Sequence, residues 1–134
     1  MKKLLSVFMI CMTALTITAQ TKTTPKVEVI YFHGKQRCAT CMAIERSTRE
    51  LLEHDFSKQM KDGTVTFRTV DISTAAGEQT ARKYHITWSA LFVNSWKKDK
   101  EIRNDMTRFA FKNARNNTKE FKRGIKNKVK ELIK

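Results

Sequence analysis

Val27-Glu-Val-Ile-Tyr-Phe-His-Gly-Lys-Gln-Arg-Cys-Ala-Thr-Cys41, running on into Met-Ala-Ile-Glu45, sets an apolar run beside two cysteines at C-x-x-C spacing. The run from Val27 to Phe32 is nearly continuous, as in a central strand covered on both faces. Gly34 opens a polar loop, and a long helical pattern begins at about Ala39. That order has a chemical consequence. A helix N-terminus carries unpaired backbone N–H groups and about half a positive charge, which favours a thiolate at Cys38. The thiolate is the reactive form of cysteine, and a lowered pKa makes it available near neutral pH. Cys41 shares the helix face with Cys38 and is placed to close a disulfide or resolve a mixed one. Arg37 and Lys35 add local positive charge. The same spacing also suits a structural disulfide or half of a metal site.

The chain has 134 residues, one domain's worth, with 40% hydrophobic and 30% charged residues. A net charge of +14 favours contact with anions and says little about fold. One proline and four glycines argue against a loop-built or low-complexity protein. Residues 1–19 read as a secretory signal peptide: Lys2 and Lys3 precede an apolar stretch from Leu4 to Ile17, too short to span a bilayer comfortably. Cleavage is expected after Ala19, leaving a mature chain of charge +12 after the loss of Lys2 and Lys3. The expected location is therefore periplasmic or extracellular. Cys11 departs with the signal, so Cys38 and Cys41 remain as one pair in an oxidising compartment. No second pair exists to build a disulfide framework or a four-cysteine zinc site, and redox work becomes the leading reading.

Residues 20–26 are polar and contain Pro25, a linker. Residues 27–134 form the domain. From Ala39 to about Lys61 the apolar residues Cys41, Ile44, Leu51, Leu52, Phe56 and Met60 fall at helical spacing, and Asp62-Gly63 ends the helix. A second strand is expected from Thr64 to Ile72, a short helix from Gly77 to Lys83, and a third strand from Ala90 to Trp96. Lys97 to Lys100 turns the chain into a fourth short strand at Glu101 to Arg103. A short helix follows from Asp105 to Ala114. Asn117 and Glu120 then cap a last helix whose stripe is Phe121, Ile125, Val129 and Leu132. Strands separated by helices imply parallel crossovers, with a hairpin at one edge.

This β-α-β-α-β-β-α order, with C-x-x-C closing the first strand, resembles the thioredoxin-like superfamily. Phe32 to Cys41 stands where thioredoxins carry an aromatic-rich turn before their two cysteines. Thr69 to Ile72 resembles the next core strand, and Ala81-Arg-Lys-Tyr-His-Ile86 the approach to the third. The likeness is strongest to small exported thioredoxin-like proteins of bacteria, and it covers nearly all of residues 27–134. It implies an α/β, three-layer fold with a mixed central sheet of about four strands flanked by helices. Three positions depart from the family pattern. The family's cis-proline falls near Ala90, its tryptophan before the first cysteine is Arg37, and its buried acid, counted back without gaps, falls at Phe32.

The resemblance makes Cys38 the exposed nucleophile and Cys41 the buried resolving thiol. Glu45, one turn beyond Cys41, is a candidate proton relay beside its plainer reading as a solvated helix residue. His33 can stabilise the Cys38 thiolate when charged. His33, Arg37, Trp88, Ser89 and Ala90 are the expected substrate groove. The expected activity is thiol–disulfide exchange with protein thiols and an unidentified redox partner, with no cofactor. One alternative is a soft-metal module binding Cu(I) through the same cysteines. The other is a thioredoxin-fold binding protein with a static disulfide. Residues 97–134 hold 14 Lys and Arg against 5 Asp and Glu, which suits weak contact with an anionic surface. Export and the lack of aromatic-basic interleaving argue against nucleic acid.

Overall fold

A computed structural model describes residues 24–134. The expected signal peptide and most of the linker lie outside the described residues. The elements run β1 (Val27–His33), α1 (Ala39–Asp55), α2 (Ser57–Lys61), β2 (Val65–Asp71), α3 (Ala75–Lys83), β3 (Ala90–Lys97), β4 (Lys100–Ile102), α4 (Thr107–Asn113) and α5 (Thr118–Ile133).

The strands form one mixed sheet in the order β2-β1-β3-β4. β1 pairs in parallel with β2, placing Val27 opposite Val65 and His33 opposite Asp71. It pairs antiparallel with β3, placing Tyr31 opposite Leu91 and Phe32 opposite Ala90. β4 closes the edge as a hairpin on β3, through Lys98 and Asp99 at positive φ. Two left-handed residues are what a tight hairpin turn requires. This is the mixed four-stranded sheet flanked by helices that the sequence predicts.

Because side chains alternate along a strand, β1 supplies both faces of the sheet. Val27, Val29 and Tyr31 join Leu91 and Val93 under α1, α4 and α5, where Ile44, Leu52, Phe121, Ile125 and Val129 are fully buried. Ile30 and Phe32 face the other way and meet Val70, Ala81, Ala90 and Phe92 beneath α3. Gly124 lets α5 lie close to α4, since a Cβ there would run into the ring of Phe109.

Two expectations are corrected. The helix expected from Ala39 to Lys61 breaks at Phe56, which leaves helical geometry (φ −126°, ψ 26°) while its side chain stays buried. Helical spacing of apolar residues carries on across the break, so periodicity alone does not reveal it. The second crossover is also not parallel. α3, with nine residues and a length of about 14 Å, does not carry the chain back along the seven-residue β2, which is about 23 Å long. β3 therefore starts at the end where β1 and β2 finish, and runs antiparallel.

α5 is tied to α1 by ion pairs as well as by its apolar stripe: Lys122 to Glu50 at 2.9 Å and Lys126 to Asp55 at 2.7 Å. Among the described residues no helix is long and apolar enough to cross a membrane. Two outcomes are expected. Ile125→Ala should lower unfolding stability by about 2–5 kcal/mol with an unchanged denaturant slope. The hydrogen bond from Lys126, then that from His54, holds the Asp55 carboxyl below its ordinary value. A depressed carboxylate stabilises the fold above its unfolded pKa, and that contribution disappears as pH falls through the folded value. Urea midpoints measured from neutral pH to below about pH 4 should therefore fall, and fall less in Asp55→Asn.

Candidate functional site at the Cys38–Cys41 disulfide

β1 ends at His33 on the rim of the sheet, and five residues later Cys38 starts α1. Cys38 is the N-cap, with extended backbone (φ −75°, ψ 163°), and its sulfur accepts a hydrogen bond from the Cys41 N–H at 3.0 Å. An N-cap normally uses an oxygen for this task. Here the cap atom is also the candidate nucleophile, so the backbone donor is aimed at the sulfur that would carry negative charge.

Cys38 and Cys41 form a disulfide, with Cα atoms 5.0 Å apart. The two sulfurs are not equivalent. Cys38 is exposed, whereas Cys41 is 6% exposed and packs into the core beneath α1. An incoming thiol reaches Cys38 first.

Around the pair the expected groove residues separate into two groups. The hydroxyl of Ser89 lies 3.9 Å from the Cys41 sulfur. Trp88, the residue before it, is 74% exposed, and Met42, the residue after Cys41, is 50% exposed. Two large apolar side chains open to solvent thus adjoin in sequence the residues that meet at the Cys41 sulfur. His33 is half-buried, its Nδ1 pairing with the Gly34 carbonyl at 3.0 Å. Its ring centroid lies 6.1 Å from that of Tyr31. Ala90 is different: it is buried beneath α3, on the face of the sheet opposite Cys41. Among the described residues there is no cis peptide bond, so the Ser89–Ala90 link is trans.

Glu45 is neither free in solvent nor hydrogen-bonded to Cys41. Its carboxylate pairs with Arg37 and, at 3.4 Å, with Arg49. Arg37 is held in turn over the ring of Tyr31, 5.9 Å from its centroid. The pair fixes the loop before Cys38 against α1. A shallow groove begins there, at Arg37 and Met42, and follows α1 past Arg46 and Arg49. Among the described residues no three His, Cys, Asp or Glu side chains cluster as metal ligands would.

The residue that sequence reasoning passed over is Tyr31. An ungapped count points to Phe32 as the polar position beneath the cysteines, but Phe32 faces α3. Its neighbour Tyr31 faces α1 and is fully buried in the same cluster as Cys41. A one-residue slip along a strand moves a side chain to the other face, and counting from the cysteines crosses a loop whose length sets no register. The Tyr31 hydroxyl has no hydrogen-bond partner among the described residues. Burial pushes its pKa up, against smaller opposing effects of Ser89 and Arg37. Both stand near the phenol, though neither meets hydrogen-bond geometry.

No family model matches this chain. No curated protein matches it either. Among solved structures, one similar chain is a malarial protein, 20% identical, with 61% of this chain and 82% of that chain covered and a TM-score of 0.43. Another is the solution structure of a thioredoxin from Thermus thermophilus, 15% identical, with 75% of this chain and 73% of that chain covered and a TM-score of 0.46.

Proposed function

We propose that the protein is a thiol–disulfide oxidoreductase, exchanging the Cys38–Cys41 pair with the thiols and disulfides of other proteins. The observation that carries this reading is the asymmetry of the disulfide. One sulfur is exposed at a helix N-cap, and the other is buried one turn inside. A static cross-link has no need of such an arrangement, whereas exchange requires one sulfur to be attacked and the other to leave.

In the oxidised protein, a substrate thiolate attacks Cys38, and the Cys38–Cys41 bond breaks with its electron pair on Cys41. A second substrate thiolate then attacks the mixed disulfide. The substrate leaves as a disulfide, and Cys38 is released as a thiolate. The reverse sequence reduces a substrate disulfide. The helix N-terminus and the Cys41 N–H both stabilise negative charge on Cys38, which makes it the better entering and leaving group. Trp88 and Met42 offer apolar contact to the polypeptide beside the substrate sulfur, with His33, Arg37 and Ser89 at the groove floor. Glu45 holds Arg37 in place rather than relaying a proton. The lysine-led apolar N-terminus supports work in an exported compartment, where a C-x-x-C pair cycles between its two states.

Two variants separate the roles. With a disulfide-bonded test protein and a thiol reductant, Cys38→Ser should reduce exchange to the uncatalysed rate. Cys41→Ser should instead accumulate a mixed disulfide through Cys38, visible as a covalent adduct on a non-reducing gel. Undiminished exchange by Cys38→Ser would refute the proposal.

A further inference from the structure

The floor of the site is rich in hydrogen-bond donors that lack acceptors. The Tyr31 hydroxyl and the Nε of Arg37 are both buried without a partner among the described residues. The Ser89 hydroxyl is partly buried, and the heavy atom it meets there is the Cys41 sulfur, at 3.9 Å. A buried polar group left unpaired is costly, so donors gathered beside a sulfur point to a state in which an acceptor arrives. The nearby acids do not supply it. Glu45 is taken by Arg37 and Arg49, and one Asp71 carboxylate oxygen by the Ser73 N–H and hydroxyl. A disulfide sulfur is a poor acceptor. A thiolate is a strong one.

We propose that Tyr31 and Ser89 are positioning residues for Cys41: Ser89 donates a hydrogen bond to the Cys41 thiolate formed when the disulfide opens, and Tyr31 donates to the Ser89 oxygen. This rests on the redox reading above and adds to it a specific means of stabilising the leaving sulfur. The step is balanced without any transferred proton. The substrate thiolate forms a bond to Cys38, the Cys38–Cys41 bond breaks, and its electron pair stays on Cys41, where the donors meet it. The hydrogen-bonded thiolate is the better leaving group, and the reduced state is favoured over the disulfide. Tyr31 therefore acts as a neutral donor, not as a base.

Other charges reach the same region. Arg37 and Glu45 face it as a neutralised pair, His33 lies on the same strand, and Asp71 lies opposite His33 on β2. These act on both cysteines through space, whereas the donor chain acts on Cys41. The test uses the full chain carrying Cys11→Ser and Cys38→Ala, so that Cys41 is the single thiol, and follows thiolate formation by ultraviolet absorbance against pH. Tyr31→Phe keeps the ring and removes the hydroxyl; Ser89→Ala removes the other donor; Ser89→Thr retains it.

Loss of either hydroxyl should lower the thiolate fraction at a fixed pH about tenfold, and Ser89→Thr should restore most of it. In the chain with both cysteines, Tyr31→Phe should shift the equilibrium with glutathione toward the disulfide by about tenfold, about 30 mV. A Cys41 titration that moves less than about twofold in both Tyr31→Phe and Ser89→Ala would overturn the proposal. The titration needs no exchange partner, so the donor chain and the exchange activity can fail independently.

Discussion

β1 buries Val27, Val29 and Tyr31 on one face and Ile30 and Phe32 on the other, and its alternation sets both the layers and the site. A strand covered on both faces has no freedom to slip, because a one-residue shift would exchange every side chain between two packed layers. Its end is thereby fixed at His33, and with it the point from which α1 departs. Cys38 then sits at the rim of the sheet, and Tyr31 lies beneath Cys41 as a consequence of strand parity. Packing positions the chemistry.

The site joins an exposed sulfur to a stable fold by using the sulfur itself as the helix cap. Most helices satisfy their first N–H groups with Ser, Thr, Asp or Asn. In α1 the Cys38 sulfur takes that place, so the groups that begin the helix are also those that stabilise a thiolate. The Arg37–Glu45 pair reinforces this locally by holding the preceding loop to the helix. The large net charge contributes less to the site than to the scaffold. Lys122 and Lys126 are spent on the acids of α1, and Arg123 and Lys128 pair with Glu120 and Glu131 on α5.

Much of this was legible in the residues. The apolar run at Val27 to Phe32, the C-x-x-C pair at a helix start, the Asp62-Gly63 stop and the Asn117 cap are local signals, and each stands where local chemistry requires. Gly63 has φ +79°, and the Asn117 side chain accepts from the Glu120 N–H at 3.4 Å. What sequence did not yield depends on distance in the chain. The antiparallel pairing of β3 with β1 is a long-range choice that no local pattern encodes. The break at Phe56 is invisible to a periodicity that continues through it. Tyr31 rather than Phe32 faces the cysteines because of register, and the engagement of Glu45 by two arginines depends on where the loop folds back. Ser89 was nameable as groove, but its place beside Cys41 comes from the approach to β3.

The central claim is that Cys38 and Cys41 form a working redox couple rather than a fixed cross-link. Its most direct test is the reduction potential of the pair, by equilibration with glutathione buffers. A working couple should have a value within the span of known exchangers, roughly −270 to −120 mV. A value well below about −300 mV, where structural disulfides lie, would contradict it.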